Sequence, residues 1–372
     1  MKREIVLRGS CQTDADMLYF TGVPVPDPFY AFTLRGRKCA LIGALELGRL
    51  SKGGRLDEIF DLSLLSRKYF PNGRVDETAV LAKILKNARV RGLLVSQNFP
   101  ALQLERLRAA GFDVAVADAP ILPERDVKSA RELAEIEKAN AVAAKGFARI
   151  AQILRESEVS DGKLVWRNRT VSSQLLRFEV ESAALAEGAD AMYTIVAGGN
   201  QACDPHEVGH GAILPNSLIV ADIFPRLRSS GYFGDMTRTF LKGTPSDAQA
   251  RLVETVAAAQ RLALSKIRDG AEGSEIHADV DDFFAENGYY TEFRKGAWGG
   301  FFHSTGHGVG LDIHEKISIS PRKCKLRSGN VVTVEPGLYY RGIGGCRIED
   351  TVVVRKTRAR KLSNYPYDWV IK

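Results

Sequence analysis

The first third of the chain alternates short apolar runs with apolar residues at helical intervals. Phe29–Leu34 and Lys38–Gly43 are apolar segments on either side of Arg35-Gly36-Arg37, a pattern that predicts a β-hairpin. Glu77–Ala88 carries apolar residues at helical spacing. The alternation continues through a predicted strand, a helix and a second strand: Gly92–Ser96, Leu102–Ala110 and Val114–Ala117. Strands alternating with helices predict a small α/β domain, and no catalytic motif lies in it.

The remainder of the chain carries longer helical patterns separated by strand-like runs. Four helices are predicted: Val127–Arg155, Val171–Ala186, one that begins at Thr244-Pro245, and Ser274–Glu286. We expect Thr170 to cap the second helix. Thr244 and Asp247 are expected to cap the third and complete its capping box. The third and fourth helices alternate with strands, which favours an α+β domain whose helices cover one face of a curved antiparallel sheet.

Two prolines, Pro120 and Pro123, punctuate the chain between these regions. We therefore predict a non-catalytic N-terminal α/β domain over residues 1–122 and a second domain over residues 123–372. A chain of 372 residues is long enough for two domains with large cores.

Composition and charge are those of an ordinary globular protein. Hydrophobic residues make up 45% and charged residues 26% of the chain, and the net charge is +7. The basic residues are scattered and no groove-reading motif accompanies them, so we expect no nucleic-acid partner. No apolar run reaches membrane-spanning length and the first residues lack a signal-peptide pattern, which predicts a cytoplasmic protein without a membrane partner. The five cysteines lack the spacing of a disulfide framework or a zinc knot.

One polar feature stands out within the stretch Ile219–Phe240, which begins as an apolar strand. Asp222 lies at the end of a predicted strand, and Asp235 follows thirteen residues later on a second predicted strand. A hairpin of that length can bring both carboxylates together, and close carboxylates repel unless a cation or proton lies between them. Taken alone, the pair could equally be two solvated aspartates at strand ends.

Three later segments supply further ligand types. His303–Glu315 contains His307 between two glycines, Thr333–Tyr340 contains Glu335, and Gly344–Val354 contains Glu349. Together with the two aspartates they make four carboxylates and one imidazole. This set carries too much negative charge for one divalent ion. It suits two close metal ions bridged by carboxylates, an arrangement that activates water in aminopeptidases.

These segments, with IVAGGN and His206 before them, resemble the pita-bread metallopeptidases, in particular the Xaa-Pro aminopeptidase and prolidase branch. The resemblance implies a pita-bread domain and a dinuclear-metal peptidase that hydrolyses the bond between an N-terminal residue and proline. Manganese is the expected metal, with cobalt or zinc as alternatives. The expected partners are a peptide with a free N-terminus and proline second, and a second copy of the chain in a homodimer.

The resemblance also implies the role of each site residue. Asp235 and Glu349 would bridge the two metal ions, Asp222 would complete one, and His307 with Glu335 would complete the other. The implied catalytic residues are His206, His303, His314, Glu335 and Arg347. Glu335 would shuttle protons and the three histidines would contact the substrate. Arg347 would orient ligand carboxylates. In the alternative interpretation, His303 and His314 are buried structural groups and Arg347 is a surface residue.

A competing motif overlaps the site. His206 to His210 reads H-E-x-x-H, the zinc-binding pattern of metalloproteases, which requires a helix to align both histidines. Pro205, Gly209 and Gly211 disfavour a helix here. We therefore interpret His210 as a bystander, and His277, which lies in a predicted helix outside the motifs, as structural.

The sequence departs from the family pattern after Asp222, where Ile-Phe-Pro replaces a small residue and glycine. The proline common just after His314-Glu315 is also absent. Three alternatives stay open: a non-catalytic pita-bread binding protein, a metal-independent creatinase-like hydrolase, and an aminopeptidase of the same fold without proline selectivity, such as a methionine aminopeptidase. The retained ligands disfavour the first two, and the N-terminal domain disfavours the methionine aminopeptidase.

Overall fold

The computed structural model describes residues 3–71, 76–294 and 296–372. The chain divides into two compact units, Met1–Arg125 and Asp126–Lys372.

The first unit is built on a mixed six-stranded sheet in the order β4-β3-β2-β1-β5-β6. Its strands are β1 (Glu4–Gly9), β2 (Phe29–Leu34), β3 (Arg37–Ile42), β4 (Glu58–Asp61), β5 (Gly92–Val95) and β6 (Asp113–Val116). The predicted hairpin is confirmed as β2 and β3. Arg35 and Gly36 turn it with φ angles of 55° and 86°, as a two-residue hairpin turn demands. β1 pairs parallel with β5, and β5 with β6.

Five helices accompany this sheet: α1 (Ala15–Thr21), α2 (Ala44–Gly53), α3 (Leu62–Tyr69), α4 (Glu77–Asn87) and α5 (Ala101–Ala109). The last two were predicted. The first three, which are seven to ten residues long, were not predicted from the sequence. The alternation of strands and helices matches the predicted α/β character.

The second unit begins with α6 (Ala130–Glu156), its longest helix. Ser129 caps the helix, and the Glu132 side chain returns to the Ser129 backbone N–H, so both halves of a capping box are present. Buried apolar residues of α6 pack against α7 (Ser173–Ala186) and the strands beneath them.

Two predicted helix caps are wrong. Ser172, not Thr170, caps α7, because Thr170 still pairs in a small sheet. Ser246 caps α8 (Asp247–Lys266) in a capping box with Gln249, where Thr244 and Asp247 were predicted. Pro245 lies before the cap, so the helix starts two residues later than expected. The fourth predicted helix is α9 (Gly273–Glu286).

The strands of the second unit form two main sheets and several two- or three-stranded ones. They are β7 (Glu158–Ser160), β8 (Lys163–Trp166), β9 (Arg169–Thr170), β10 (Ala189–Asp190), β11 (Ile195–Gly198), β12 (Ile219–Ile223), β13 (Arg226–Leu227), β14 (Met236–Lys242), β15 (Glu292–Arg294), β16 (Ala297–Gly299), β17 (Gly306–Gly308), β18 (Glu315–Ile319), β19 (Val331–Val334), β20 (Gly337–Tyr340), β21 (Gly344–Arg347), β22 (Asp350–Val353), β23 (Arg360–Lys361) and β24 (Val370–Ile371).

The two main sheets are β11-β12-β14-β24 and β18-β17-β19-β22-β23, and β20-β21 form a separate hairpin. Apart from the parallel β14-β24 pair, their pairings are antiparallel. Helices α6 and α7 bury their apolar faces on the first sheet, and α8 and α9 on the second. The predicted α+β arrangement of helices over antiparallel strands is thereby confirmed. None of the helices in the described ranges is long and apolar enough to cross a membrane.

Candidate active site

Strand pairing brings the first two candidate ligands together. Asp222 lies in β12 opposite Thr237 of β14 and opposite Ile195 of β11. Asp235 immediately precedes β14 rather than lying within it, which corrects the predicted strand boundary. Its backbone N–H donates to Asn140 Oδ1 at 3.1 Å. Gly234 allows this approach, since a Cβ there would lie 2.5 Å from the Asn140 nitrogen.

His307 and Glu335 meet through a shared threonine. The His307 backbone N–H donates to Thr333 Oγ1 at 3.0 Å, and that hydroxyl donates to Glu335 Oε1 at 3.1 Å. His307 lies on β17, where a Cβ on Gly306 would come within 2.0 Å of the Thr333 carbonyl oxygen. The two strands can therefore approach this closely only because Gly306 has no side chain.

The His307 ring is oriented as a ligand. Its Nδ1 lies 3.1 Å from the Gly308 carbonyl oxygen, which can only accept, so Nδ1 carries the proton. The unprotonated Nε2 lies 3.3 Å from Glu335 Oε1 and 3.5 Å from Asp235 Oδ2. A backbone carbonyl on one ring nitrogen and carboxylates around the other is the usual environment of a metal-binding histidine.

Three of the five predicted ligands form one tight group. One ligand atom each from Asp235, His307 and Glu349 lie within 4.8 Å of one another. Asp222 and Glu335 line the same cavity. Two buried carboxylate oxygens, Asp222 Oδ1 and Glu349 Oε1, have no hydrogen-bond partner among the residues that the structure describes. Unpartnered buried carboxylate oxygens are costly unless a cation satisfies them, so this donor set fits divalent metal ions.

The crowded carboxylates alter their own acidity. Burial raises the pKa of Asp235, and repulsion from Asp222 and Glu335 raises it further. Burial likewise raises the pKa of Glu349, with Asp235 adding to it, and raises the pKa of Glu335 to about 7. Burial lowers the pKa of His307, which keeps the imidazole neutral and able to bind metal.

A chain of hydrogen bonds holds the other oxygen of Asp222. Arg347 Nη2 donates to Asp222 Oδ2 at 2.6 Å, and Arg347 Nη1 donates to the Tyr339 hydroxyl at 3.0 Å. His303 Nδ1 donates to the Ser304 carbonyl at 2.8 Å, so its Nε2 accepts from the Tyr339 hydroxyl at 2.8 Å. Burial, helped by the Arg347 charge, lowers the pKa of His303 to about 3, so the ring is neutral.

Glu349 is held in a similar way. Thr237 Oγ1 donates to Glu349 Oε2 at 2.7 Å, which leaves Oε1 free. Glu349 lies between β21 and β22, two residues after Arg347. Each of Asp222 and Glu349 thus has one oxygen fixed by the protein and one left for another group.

The candidate site opens into a cavity of about 790 Å³. The five predicted metal ligands, His206, His303, His314 and Arg347 all line it. The rings of His307 and His314 meet edge to face with centroids 4.3 Å apart. Burial lowers the pKa of His314, with His307 contributing. The cavity therefore combines carboxyl groups, imidazoles and apolar side chains in one lining.

The sequence analysis predicted that the H-E-x-x-H segment is not helical, and the structure confirms this. Residues 206–210 form a turn and an extended loop, and Gly209 has a φ of 83°. The side chain of His210 is 71% exposed and lies 3.6 Å from Glu207. Only His206 of the two histidines lines the cavity.

Sequence reasoning missed the residues that support the ligands. Tyr339, Thr237 and Thr333 make the contacts described above. Tyr339 and Thr333 lie inside a segment that the sequence analysis singled out. Their closeness in sequence to predicted ligands was the signal that could have identified them as supporting residues. The interpretation of His277 as remote was incomplete, because its Nδ1 lies 2.9 Å from Thr305 Oγ1. The backbone carbonyl of Thr305 accepts the Glu335 N–H at 2.8 Å.

The fold is that of a pita-bread metallopeptidase. Residues 134–356 match the model of metallopeptidase family M24. The chain belongs to that family, and it is an enzyme of the metallopeptidase class.

Relatives and solved structures agree with this assignment. The Xaa-Pro dipeptidase of Pyrococcus horikoshii is 32% identical over 285 residues, which cover 76% of this chain and 75% of that protein. An uncharacterized peptidase of Bacillus subtilis is 30% identical over 272 residues, which cover 70% and 71% of the two chains. The structure of an Xaa-Pro dipeptidase from Bacillus anthracis matches with a TM-score of 0.83 at 25% identity, covering 99% and 95%. An X-Pro aminopeptidase from Thermotoga maritima matches in fold with a TM-score of 0.81 at 23% identity, covering 98% and 97%.

Proposed function

We propose that this metallopeptidase uses two divalent metal ions to hydrolyse the bond between an N-terminal residue and proline. The observation that carries the proposal is the donor set itself. Asp222, Asp235, His307, Glu335 and Glu349 line one cavity, and two buried carboxylate oxygens there lack a partner among the described residues. Four carboxylates around one ion would leave excess negative charge, which favours two ions.

The proposed ligands divide between the two ions. Asp235 and Glu349 would be shared by both ions, Asp222 would hold one, and His307 with Glu335 would hold the other. Bound there, the ions polarise the scissile carbonyl and lower the pKa of the attacking water. The oxygen-rich set favours manganese over metals that prefer softer ligands, with cobalt and zinc as alternatives.

The protein groups around the ions have separate proposed roles. Glu335 accepts a proton from the attacking water and returns it to the leaving nitrogen. His314, a neutral imidazole at the cavity wall, donates to the substrate carbonyl oxygen. His206 contacts the residue after the scissile bond. In this proposal Arg347 fixes Asp222 while leaving its second oxygen free.

His303 has a different proposed role from the one first predicted. Both ring nitrogens already have partners in the protein, Ser304 and Tyr339. A direct bond to substrate would require His303 to release one of them. We therefore propose that His303 acts through Tyr339 and Arg347 to position Asp222.

Selectivity for proline follows from the chemistry of the bond. A peptide bond before proline has no N–H, so a peptidase that needs that donor handles it poorly. Anchoring the substrate by its free amine, at Asp222 and a metal ion, removes that need. The apolar cavity wall, which includes Pro205, Val208 and Phe302, suits a proline ring. The related Xaa-Pro dipeptidase of Pyrococcus horikoshii supports this substrate class.

A matched peptide set tests the proposal. Ala-Pro and Ala-Ala peptides, each with a free and an acetylated amine, are incubated with the chelated protein and with the manganese-reconstituted protein. We expect hydrolysis of free Ala-Pro only, and only with metal, because acetylation removes the charge and lone pair of the amine. Equal rates on Ala-Pro and Ala-Ala contradict proline selectivity, and full activity without metal contradicts the mechanism. Adding a third residue to Ala-Pro separates a dipeptidase from an aminopeptidase.

Two variants test the ligand assignment in the same assay. Asp235→Asn is expected to lose bound metal and at least a hundredfold in turnover, since a bridging ligand holds both ions. Glu207→Gln is the control, because Glu207 matters only if the H-E-x-x-H motif binds zinc. The metal content of the two variants is measured by mass spectrometry. Loss of metal and turnover in Glu207→Gln, with both retained in Asp235→Asn, would assign the metal site to His206 and His210 instead.

A homodimer and a cytoplasmic location remain predictions from the sequence. Light scattering during gel filtration tests the first.

A further inference from the structure

One face of the β11-β12 ladder carries an apolar surface beside the metal-binding carboxylates. Ile195 and Asp222 are direct antiparallel partners, so their side chains lie next to each other on the same face. Phe224 follows two residues after Asp222, and Tyr193 precedes Ile195 by two residues. Because side chains two residues apart on a strand point to the same face, Phe224 follows Asp222 on this side of β12. All four residues line the cavity.

This surface is available to a ligand to different degrees along its length. Ile195 is almost fully buried, Phe224 is partly exposed and Tyr193 is 75% exposed. Tyr193 has a φ of 64°, so the chain turns away there and the ladder ends. A partly exposed phenylalanine ring in a cavity wall is an apolar surface that a substrate can cover.

We propose that Phe224, with Ile195 and Tyr193, is the wall on which the side chain of the substrate's first residue packs. The enzyme would therefore favour a first residue with a sizeable apolar side chain, such as leucine or methionine, over glycine or a charged residue. This inference rests on the proposed function. An amine held at Asp222 puts the adjoining side chain of that residue against the neighbours of Asp222 on the same ladder face.

The size of the cavity indicates whether Phe224 attracts a large first side chain of the substrate or excludes it. At about 790 Å³ the cavity is large for a dipeptide, and binding sites of this size accommodate drug-sized ligands. A ring in the wall of such a space adds apolar contact area rather than blocking entry. A charged first side chain would instead lose part of its hydration against an apolar wall.

Steady-state kinetics on Gly-Pro, Leu-Pro and Lys-Pro with the full-length, manganese-loaded protein test the inference. The wild type is expected to show the highest kcat/KM on Leu-Pro. In Phe224→Ala, the ratio of kcat/KM for Leu-Pro to that for Gly-Pro is expected to fall about tenfold, within the range that a few methylene contacts provide. Phe224→Leu is expected to give an intermediate ratio and guards against a folding defect in the alanine variant.

Phe178→Ala is the matched control. Phe178 is also a phenylalanine, lies on α7 and is 63% exposed, so its removal is expected to leave the ratio unchanged. Inhibition by free leucine, compared with free glycine, gives a second readout. Phe224→Ala is expected to weaken inhibition by leucine more than inhibition by glycine.

The possible results separate this inference from the proposed function. An equal loss on Leu-Pro and Gly-Pro in Phe224→Ala overturns the inference and assigns Phe224 a general structural role. A rise in the Leu-Pro to Gly-Pro ratio also overturns it, because the ring would then exclude large side chains. If the metal-loaded wild type hydrolyses neither the three dipeptides nor the same three sequences extended by a third residue, the proposed function fails and the inference fails with it.

Discussion

At the scale of single residues, two of the four carboxylates in the site have their two oxygens in different environments. Asp222 has one oxygen bound by Arg347 and one without a partner in the described part of the chain, and Glu349 repeats the pattern with Thr237. A carboxylate fixed on one side can bind a cation on the other without losing side-chain freedom at that moment. The five carboxylate and imidazole side chains predicted from the sequence line one cavity, and their role as metal ligands stays a prediction. The sequence did not predict Tyr339 as a link, since a tyrosine in an apolar strand shows no pattern of its own.

The neutral state of His303 gives a prediction about acid stability. Its pKa is about 3 in the folded protein, whereas 6.5 is the ordinary value. Below pH 6.5 the unfolded chain therefore binds a proton at His303 that the folded protein does not bind. This contribution to stability is present above pH 6.5 and is lost as the pH falls toward 3. Between pH 7 and pH 4.5, the wild type should lose about 2–3 kcal/mol more free energy of unfolding than His303→Asn.

Urea denaturation of the chelated wild type and His303→Asn at both pH values measures this difference. Chelation removes metal binding as a second source of pH dependence. Identical pH slopes for the two proteins would mean that His303 titrates normally in the folded state. The chain from His303 to Asp222 would then be organised differently from the description above.

At the scale of elements, the first half of α6 and the segment before it contact residues beside the site. Asn140 binds the backbone N–H of Asp235, and Glu132 accepts from the Tyr232 hydroxyl at 2.6 Å. Just before the helix, Lys128 Nζ lies 2.5 Å from Glu315 Oε2, with the two side chains only 2% and 6% exposed. Glu315 directly follows His314, and its Oε1 also accepts the Leu311 N–H at 3.2 Å. The loop that carries His314 is therefore anchored on the segment before α6.

Removing one partner of this buried ion pair should be costly. Lys128→Met removes one partner of a buried ion pair, and we expect a loss of about 3–5 kcal/mol in the free energy of unfolding. Lys138→Met is the control, because Lys138 is 64% exposed and pairs with Glu135 on the surface of α6. Its expected cost is below about 1 kcal/mol. Equal losses in the two variants, measured by urea denaturation, would show that the Lys128 pair contributes no more than a surface pair.

The sequence predicted α6 as a helix because its apolar residues recur over many turns. Neither the Lys128–Glu315 pair nor the exact helix starts could be predicted in the same way. The two residues of the pair are far apart in sequence, and no local pattern relates a lysine before a helix to a glutamate after a histidine. Helix starts depend on which of several neighbouring serines and threonines bonds a free N–H, as Ser172 and Ser246 do. Several candidates lie side by side, and only the folded backbone distinguishes them.

At the scale of the whole molecule, the proposed ligands come from two sheets. Asp222 lies in β12 and Asp235 directly precedes β14, while His307, Glu335 and Glu349 lie on or beside β17, β19 and β22. The order of motifs along the chain was enough to predict the α+β class. The three short helices of the first unit carried too little pattern for prediction.

Bound metal should therefore stabilise the second unit as a whole. Repulsion among the buried carboxylates opposes folding without metal, and ions that bind only the folded state relieve it. At a free manganese concentration a thousand times the Kd, the expected gain is about 4 kcal/mol. Calorimetry with manganese and with chelator measures this as a rise in Tm. Asp235→Asn should show little rise, whereas an equal rise in wild type and variant would place the stabilising metal elsewhere.

The glycine before His307 has a consequence for the tolerance of this enzyme to mutation. A Cβ at Gly306 would lie 2.0 Å from the Thr333 carbonyl oxygen, a separation that no side chain can accommodate without moving a strand. A saturation-mutagenesis screen should therefore record Gly306 as no more replaceable than His307, although glycine has no group that could take part in the reaction. Engineers who wish to alter this enzyme should leave that position unchanged and vary the cavity wall instead.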